Sequence, residues 1–463
     1  MANIIGLLDI GKSALLTHQQ SINVTGHNIA NVNTPGYTRQ RVNLAANSPL
    51  DSSPGQMGDG VVAVDIQRVY DRYVSGRINT EQQGLGRWEA QKNAMERVEI
   101  AFDEAGGYGL SGSMTEFWNA WQDLSNNPSG HTERVSLLSK SASLTSAFNS
   151  VAAGLQQQQV DLDAAIRGGV DDINALATEI ADLNRKIGDI ESGVQNANDL
   201  RDRRDLLVAR LAELVDVGTF EDGQGRVTVS VANGRPLVEN GQAWHLGTAP
   251  NAAGHQDVTW IDSSGTAVDI TASIDGGKLK GWLDVRDAAI PDYMARLDAL
   301  AGDLANRVDA LHTAGFDLNG AAGQVFFSGS TAADIGLNPI ISADPDRVAA
   351  AATSAGAPGD NANAVAIADL QHASVMGGGT ASFDDFYRSL VTDVGNQVRS
   401  ATDFAEHQTV MLTSLDNYRE SISGVSLEEE MLNLIKFQHA FDAAAKLVTT
   451  VDEMIQTMLD MTR

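Results

Sequence analysis

Residues 425–463 contain neither glycine nor proline, so nothing in the backbone interrupts about 58 Å of helix at 1.5 Å per residue. Leu427, Met431, Leu434, Gln438, Phe441, Ala445, Val448, Asp452, Ile455 and Leu459 recur there in alternating steps of four and three. Phe437, Ala444, Val451 and Met458 widen the stripe. A helix with that much apolar surface does not stand alone in water; it needs a partner. Ser426 and Glu429 form a capping box at its start. The other end of the chain has the same character. Leu8, Leu15, Ile22 and Ile29 recur every seven residues, with Ile4, Gly11, His18, Thr25 and Val32 at the companion positions.

Between the ends lies a helical body with one β-rich insert. Ser113 and Glu116 are expected to cap a short helix carrying Phe117, Trp118 and Trp121. A long helical stretch runs from about His131 to about Val215, with Ile173, Leu176, Ile180, Leu183, Ile187 and Ile190 at coiled-coil spacing. The Gly168–Gly169 pair is a candidate kink in it. The segments 227–232, 257–262 and 267–272 read as strands, with Trp260 and Trp282 in or beside them. Helical period resumes at Leu297, Leu300, Leu304, Val308 and Leu311, and 315–380 reads as loops and short elements. A last body helix starts at the Ser382–Asp385 capping box and ends near Tyr418, before the SISG at 421–424.

Composition narrows the function. The chain carries 32 basic and 60 acidic side chains, a net charge of −28, which argues against a nucleic-acid partner. Residues 1–100 balance nine basic against nine acidic groups, so the whole excess lies beyond them. Without a single cysteine, disulfides, thiolate metal sites and thiol catalysis are excluded. No apolar run reaches the roughly 18 residues of a membrane span, so no membrane partner is expected. The N-terminus has no basic leader and Asp9 interrupts its apolar stretch, which predicts no cleaved secretory signal.

One motif points elsewhere. GLLDIGKS at 6–13 fits a phosphate-binding loop through Gly6, Gly11, Lys12 and Ser13, and VVAVD at 61–65 resembles a magnesium-holding strand. A P-loop NTPase is therefore the rival reading. Against it, only MANII precedes Gly6 where a strand belongs, and Leu7, Leu8, Asp9 and Ile10 are poor company for a polyanion. The nine histidines are scattered without zinc-hydrolase spacing, and a solvated or capping role is expected for each. The Asp-rich stretches lack calcium-loop spacing, and no serine sits in a nucleophile elbow. The expectation is a protein without catalytic, cofactor or metal residues.

The string NVTGHNIANVNTPGYTRQRVNL at 23–44 resembles the signature of bacterial flagellar axial proteins of the rod, hook and hook-associated group. Its physics is legible: Asn28, Asn31 and Asn33 are poor helix formers, and Pro35, Gly36 and Tyr37 turn the chain into an extended connector. Residues 58–74 look like that connector, and 421–459 like the terminal helix of the same group. NANDLRDRRDLLVARLAELV at 196–215, GKLKGWLDVRD at 277–287 and GFDLNGAAGQVFF at 315–327 are similar to the group's hook–filament junction family. Thr38 stands where that family often has Ser.

The resemblance implies a mainly α chain in which the terminal helices pair as an antiparallel coiled coil, with a long helical body and a small outer β domain. The expected divisions are 1–35 with 424–463 (inner tube), 36–80 (connector), 81–214 with 286–423 (helical body) and 215–285 (β-rich outer domain). It implies a structural adaptor between hook and filament; the hook protein and the second junction protein are rivals within the group. Implied partners are other copies, the hook protein, the second hook–filament junction protein (hook-associated protein 3) and an export chaperone on the C-terminal helix. The implied location is the extracellular flagellum, after unfolded type III export. The implied assembly residues are Leu8, Leu15, Ile22 and Ile29, with Leu434, Phe437, Phe441, Val448, Ile455 and Leu459, on termini that are disordered or loosely helical before assembly.

Overall fold

The structure, a computed structural model, describes residues 2–52, 55–102, 109–193 and 195–461. Met1, Thr462 and Arg463, at the edges of the expected terminal domain, lie outside them.

Helix α1 (Ala2–Ala30) leads through two antiparallel strand pairs, β1 (Gln40–Ala46) with β4 (Val61–Arg68) and β2 (Leu50–Ser52) with β3 (Gly55–Met57). The first pair carries a register shift between Asn43 and Leu44. Helices α2 (Arg72–Ala101), α3 (Leu110–Asn126), α4 (His131–Glu191) and α5 (Asn198–Leu214) follow. Helix α2 begins at Arg72, inside the 36–80 stretch expected to be extended, where the Asp71 carboxylate caps the first turn.

Helix α4 runs 61 residues, about 92 Å, without a break at Gly168–Gly169. The pair does not split the helix, and one of the two glycines has a packing role. A Cβ on Gly169 would lie 2.8 Å from the Trp282 ring, so that glycine makes room for an indole. The break falls instead at 192–197. The expected cap at Ser113 is also displaced: α3 begins four residues earlier, with Gly109 as its N-cap.

The insert forms two antiparallel sheets. One joins β5 (Val217–Glu221), β6 (Val227–Val231), β7 (Arg235–Glu239) and β8 (Gln242–Ala243); the other joins β9 (His245–Pro250), β10 (Gln256–Ile261) and β11 (Ala267–Asp269). In β6 the valines at 227, 229 and 231 are buried and Thr228 and Ser230 are not, the period of two that a half-buried strand requires.

The chain returns through α6 (Gly277–Asp284), one π turn at Val285–Ala289 and α7 (Ile290–Ala314). Residues 315–380 hold the short pair β12 (Phe327–Ser328) and β13 (Gly336–Leu337), with α8 (Pro339–Ala343) and α9 (Ala362–Ala368). Helix α10 (Phe383–Ser423) opens on the Ser382–Asp385 capping box, with both reciprocal bonds made, and α11 (Leu427–Met461) closes the chain.

Two cores hold the body. In one, Phe117, Trp118 and Trp121 of α3 pack with Phe326, Phe383 and the wholly buried Leu297, Leu300, Leu304 and Val308 of α7. In the other, Ile173, Ile180 and Ile187 of α4 pack against Leu211, Val229, Leu237 and Val258. Trp282 is packed against both. Helices α2 and α10 run antiparallel, fixed by the Trp88–Phe404 stack at 4.5 Å and by Val74 and Ile78 against Leu412.

Candidate functional site

The terminal helices pair within one chain, antiparallel: Gly11 lies against Val448, His18 stacks on Phe437 at 6.3 Å, and Asn28 meets Glu430. Apart from Val24, the residues of α1 buried deepest are small or polar: Gly11, Thr17, Ser21, Thr25 and Asn28. This face is shared between α11 and the connector, since Thr17 Oγ1 donates to Val61 O at 3.2 Å. A Cβ on Gly11 would approach Val448 Cγ2 to 2.7 Å, so glycine sets the spacing of the pair.

The leucine column therefore flanks the seam. Leu8, Leu15, Ile22 and Ile29 are half-buried, as are Leu434, Phe437, Phe441, Val448 and Ile455 of α11, while Leu459 is 62% exposed. The deepest positions of α11 are Glu430, Ala444 and Val451. Around the seam, Ile5, Leu7 and Leu16 of α1 and Met431, Leu432, Ile435, Met454 and Met458 of α11 face solvent. Among the described residues, no helix is long and apolar enough to cross a membrane.

Where the pair meets the body, polar side chains replace apolar ones. Helix α1 stops at Ala30 because Asn31 and Thr34 turn the backbone, and Gly36, at φ +78°, adopts the left-handed conformation over Leu206 of α5. Asn31 is half-buried, and Asn33 and Pro35 are exposed on the outside of this turn.

Buried Asn28 makes all four bonds its amide allows. Its Oδ1 accepts from Gln40 N at 2.9 Å and Tyr37 OH at 2.8 Å; its Nδ2 donates to Gln40 O at 2.9 Å and Glu430 Oε2 at 3.0 Å. Arg39 Nε donates to the other Glu430 oxygen at 2.8 Å and its NH1 to Glu429 at 2.8 Å. Burial, reinforced by Asp199, Asp202 and Glu430, pushes the Tyr37 phenol well above its ordinary range, which keeps it a donor.

Helix α5 supplies the far wall. Asp202 accepts from Thr38 N at 2.8 Å, Thr38 Oγ1 at 2.6 Å and Arg68 at 2.9 Å, and Asp205 accepts from Arg68 at 2.7 Å. Asp199 accepts from Gln40 Nε2 at 2.6 Å. Burial pushes the Asp202 carboxyl up against the pull of Thr38 and Arg68, and Asp205 and Asp202 hold the buried Arg68 above its ordinary value. Arg68 of β4 and the DLRDRRD segment thus form one ionic junction, to which Gln40 adds a hydrogen bond to Asp199, while Arg39 turns to Glu429 and Glu430 of α11. Sequence reading singled out Asn28 and Tyr37 but missed Arg39, Arg68, Asp202 and Glu430; the acid spacing at 199, 202 and 205, one face of a helix, was the available signal.

The phosphate-loop reading fails on geometry. Residues 6–13 lie inside α1, where backbone N–H groups are committed to the helix and cannot cradle a phosphate. Gly6 has open space around it, Gly11 serves the helix seam, Lys12 is exposed, and Ser13 Oγ donates to Ile10 O. VVAVD lies in β4, and its Asp65 accepts from Asn43 and Gln67. Among the described residues, no group of three or more His, Asp or Glu is placed to hold a metal. Of the solvated or capping role expected for each histidine, the solvated alternative is corrected at His312, which is wholly buried, with Nδ1 against Gln324 O and Nε2 accepting from Ala349 N.

Comparison with known proteins agrees with this anatomy. Residues 95–327 match the model of the flagellar hook-associated protein FlgK helical domain. Residues 8–38 match the flagella basal body rod protein family, and 419–461 the C-terminal family of the basal body rod FlgEFG proteins. Flagellar hook-associated protein 1 of Bacillus subtilis is 29% identical, covering 98% of this chain and 97% of that one. The Escherichia coli protein of the same name is 27% identical, over 98% and 99%. The structure of the flagellar hook junction protein FlgK from Burkholderia pseudomallei shares the fold at a TM-score of 0.68 and 16% identity, covering 75% of this chain and all of that one. Paired terminal helices of the rod type on a long helical body define an axial, structural protein of the bacterial flagellum. Within that class the chain belongs to the flagellar hook-associated protein FlgK family.

Proposed function

We propose that this chain is the hook–filament junction adaptor: copies assemble through α1 and α11 into a layer that joins the hook to the filament, with no catalytic turnover. The observation that carries the reading is the apolar surface left over after α1 and α11 have paired, including Leu432, Ile435, Met458 and Leu459 on one helix. Water-exposed apolar area of this extent marks a surface that another protein covers. Repeated head-to-tail contacts between copies close into rings or run on as tubes.

In this reading, 1–35 with 424–463 form the inner tube, 36–80 the connector, 81–214 with 286–423 the middle layer, and 215–285 the outside. Leu8, Leu15, Ile22 and Ile29, with Leu434, Phe437, Phe441, Val448, Ile455 and Leu459, shape the assembling helix pair. The hook protein lies on one side and the second junction protein on the other. Before export without a cleaved signal peptide, a chaperone covers α11.

The test is Leu459→Asp, an exposed position on α11. The variant is expected to fold and to be exported, yet to be missing from isolated hooks, leaving cells that do not swim. Normal incorporation and swimming would remove the exposed face from the assembly surface.

A further inference from the structure

All the sulfur in this chain is methionine sulfur, and it is distributed unevenly. Three of the eleven methionines are sealed inside the body: Met95 and Met114 are 0% exposed and Met376 is 2% exposed. Helix α11 carries four, and all four face solvent: Met431, Met454, Met458 and Met461 are 57%, 45%, 46% and 83% exposed. The last three share one side of the helix, since steps of four and seven residues from Met454 return to within about 40° of it. Met454 and Met458 line a shallow groove there with Ile4 of α1. Met57, in β3 of the connector, is also open, but it lies outside the helix pair.

We propose that Met431, Met454, Met458 and Met461 are a modification site: peroxide converts them to sulfoxides in the free subunit, and the modified α11 no longer joins the layer. A thioether lone pair attacks one peroxide oxygen, and the sulfur–oxygen bond forms as the oxygen–oxygen bond breaks. Sulfur gives up two electrons, and the departing hydroxide takes the proton of the transferred oxygen and leaves as water. The product is a polar, chiral side chain where a flexible apolar one stood. On a face that has to be desolvated, each new oxygen is an acceptor without a donor. Once neighbours cover α11, peroxide is shut out, so the modification acts before the layer forms and not after. Sulfoxide reductases return the thioether, which makes the block reversible. The inference rests on the assembly reading above and adds a chemical control to the same surface.

The test treats the purified full-length protein with hydrogen peroxide, maps sulfoxides by peptide mass spectrometry, and measures binding to hooks isolated from cells that lack the protein. Sulfoxide is expected at the four α11 positions and at Met57, ahead of Met95, Met114 and Met376. Hook binding is expected to fall about tenfold or more, the consequence of carrying an unpaired polar group into an apolar contact. The two stereospecific methionine sulfoxide reductases should restore it. In assembled hooks the α11 methionines should stay reduced at the same dose.

Two variants assign the effect, read as the ratio of treated to untreated binding. Met57→Leu should keep the sensitivity, and the fourfold variant Met431→Leu/Met454→Leu/Met458→Leu/Met461→Leu should lose it. Undiminished binding by protein oxidised at all four positions, a loss that reductase does not reverse, or equal sensitivity in the fourfold variant overturns the proposal and leaves the adaptor reading standing. If the fourfold variant does not bind at all, reductase rescue of the parent protein decides. Failure of the untreated parent protein to bind hooks overturns the adaptor reading instead.

Discussion

Asn28 and Glu430 stand 402 positions apart in the chain and share a buried hydrogen bond of 3.0 Å. Asn28 also holds both backbone groups of Gln40, and Glu430 also holds Arg39, so the end of α1, the start of α11 and the first connector strand are satisfied together. Each group is left wanting if any one of the three segments departs, which couples the terminal pair to the connector.

Glu430→Ala should therefore loosen α1 although the change lies in α11. It leaves one Asn28 Nδ2 hydrogen and Arg39 Nε without an acceptor, although Asn28 keeps Gln40 O and Arg39 keeps Glu429, so a cost of about 1–3 kcal/mol is expected. Amide exchange should accelerate across α1 and the start of α11, with α4 unchanged. Unaltered α1 protection would show that the helices are held by the seam alone.

At Gly11 the two helices approach closely. Gly11→Leu should push Val448 away and weaken the pair by about 1–3 kcal/mol, the usual cost of overpacking. Gly11→Ala should come out near zero, because moving one valine methyl offsets a helix-propensity gain of about 1 kcal/mol. Lys12→Ala should leave melting and swimming unchanged, and magnesium–ATP should neither raise the melting temperature nor shield Lys12 from protease. Circular dichroism melts and limited proteolysis check all three variants.

The body should carry a histidine-linked acid sensitivity. Burial, the leading cause, lowers His312 to about 4 from the ordinary 6.5, with its neutral ring donating to Gln324 O and accepting from Ala349 N. A folded-state value below the unfolded one means the contribution is complete above pH 6.5 and is lost as pH falls toward 4. The gap corresponds to about 3 kcal/mol at most. Urea unfolding between pH 7 and 4 should show a shallower loss for His312→Gln than for the parent protein.

Gly169→Leu should disturb the junction between the two body cores. Its side chain would enter the space of the Trp282 ring, at a cost of about 1–3 kcal/mol. A lower urea midpoint with a changed near-ultraviolet tryptophan signal is expected; Gly168→Ala, at an open position, should stabilise α4 slightly.

Much of this was legible from residue order. The end of α1 follows from Asn31 to Gly36, the start of α10 from Ser382 and Asp385, and β6 from the alternation Val227, Val229, Val231. The Gly168–Gly169 pair could have marked a helix break or a close approach, and only Trp282, more than a hundred residues away, shows the close approach. GLLDIGKS misled for a related reason: its spacing is that of a phosphate loop, but the helix carrying it consumes the backbone donors such a loop requires.

By itself the sequence determined most of the helices, the Ser382–Asp385 cap, the β insert and the apolar excess at both ends, because these depend on propensity and period within a few turns of chain. The tertiary structure alone decided which edge of each stripe becomes the seam. Helical period defines a band wide enough to hold both the leucine column of α1 and its column of small residues. Only the partner's surface, with Val448 against Gly11 and the connector against Thr17, selects between them. The burial of Asn28, Asp202 and Glu430 was decided the same way, since a polar group goes inside only where distant segments supply its hydrogen bonds.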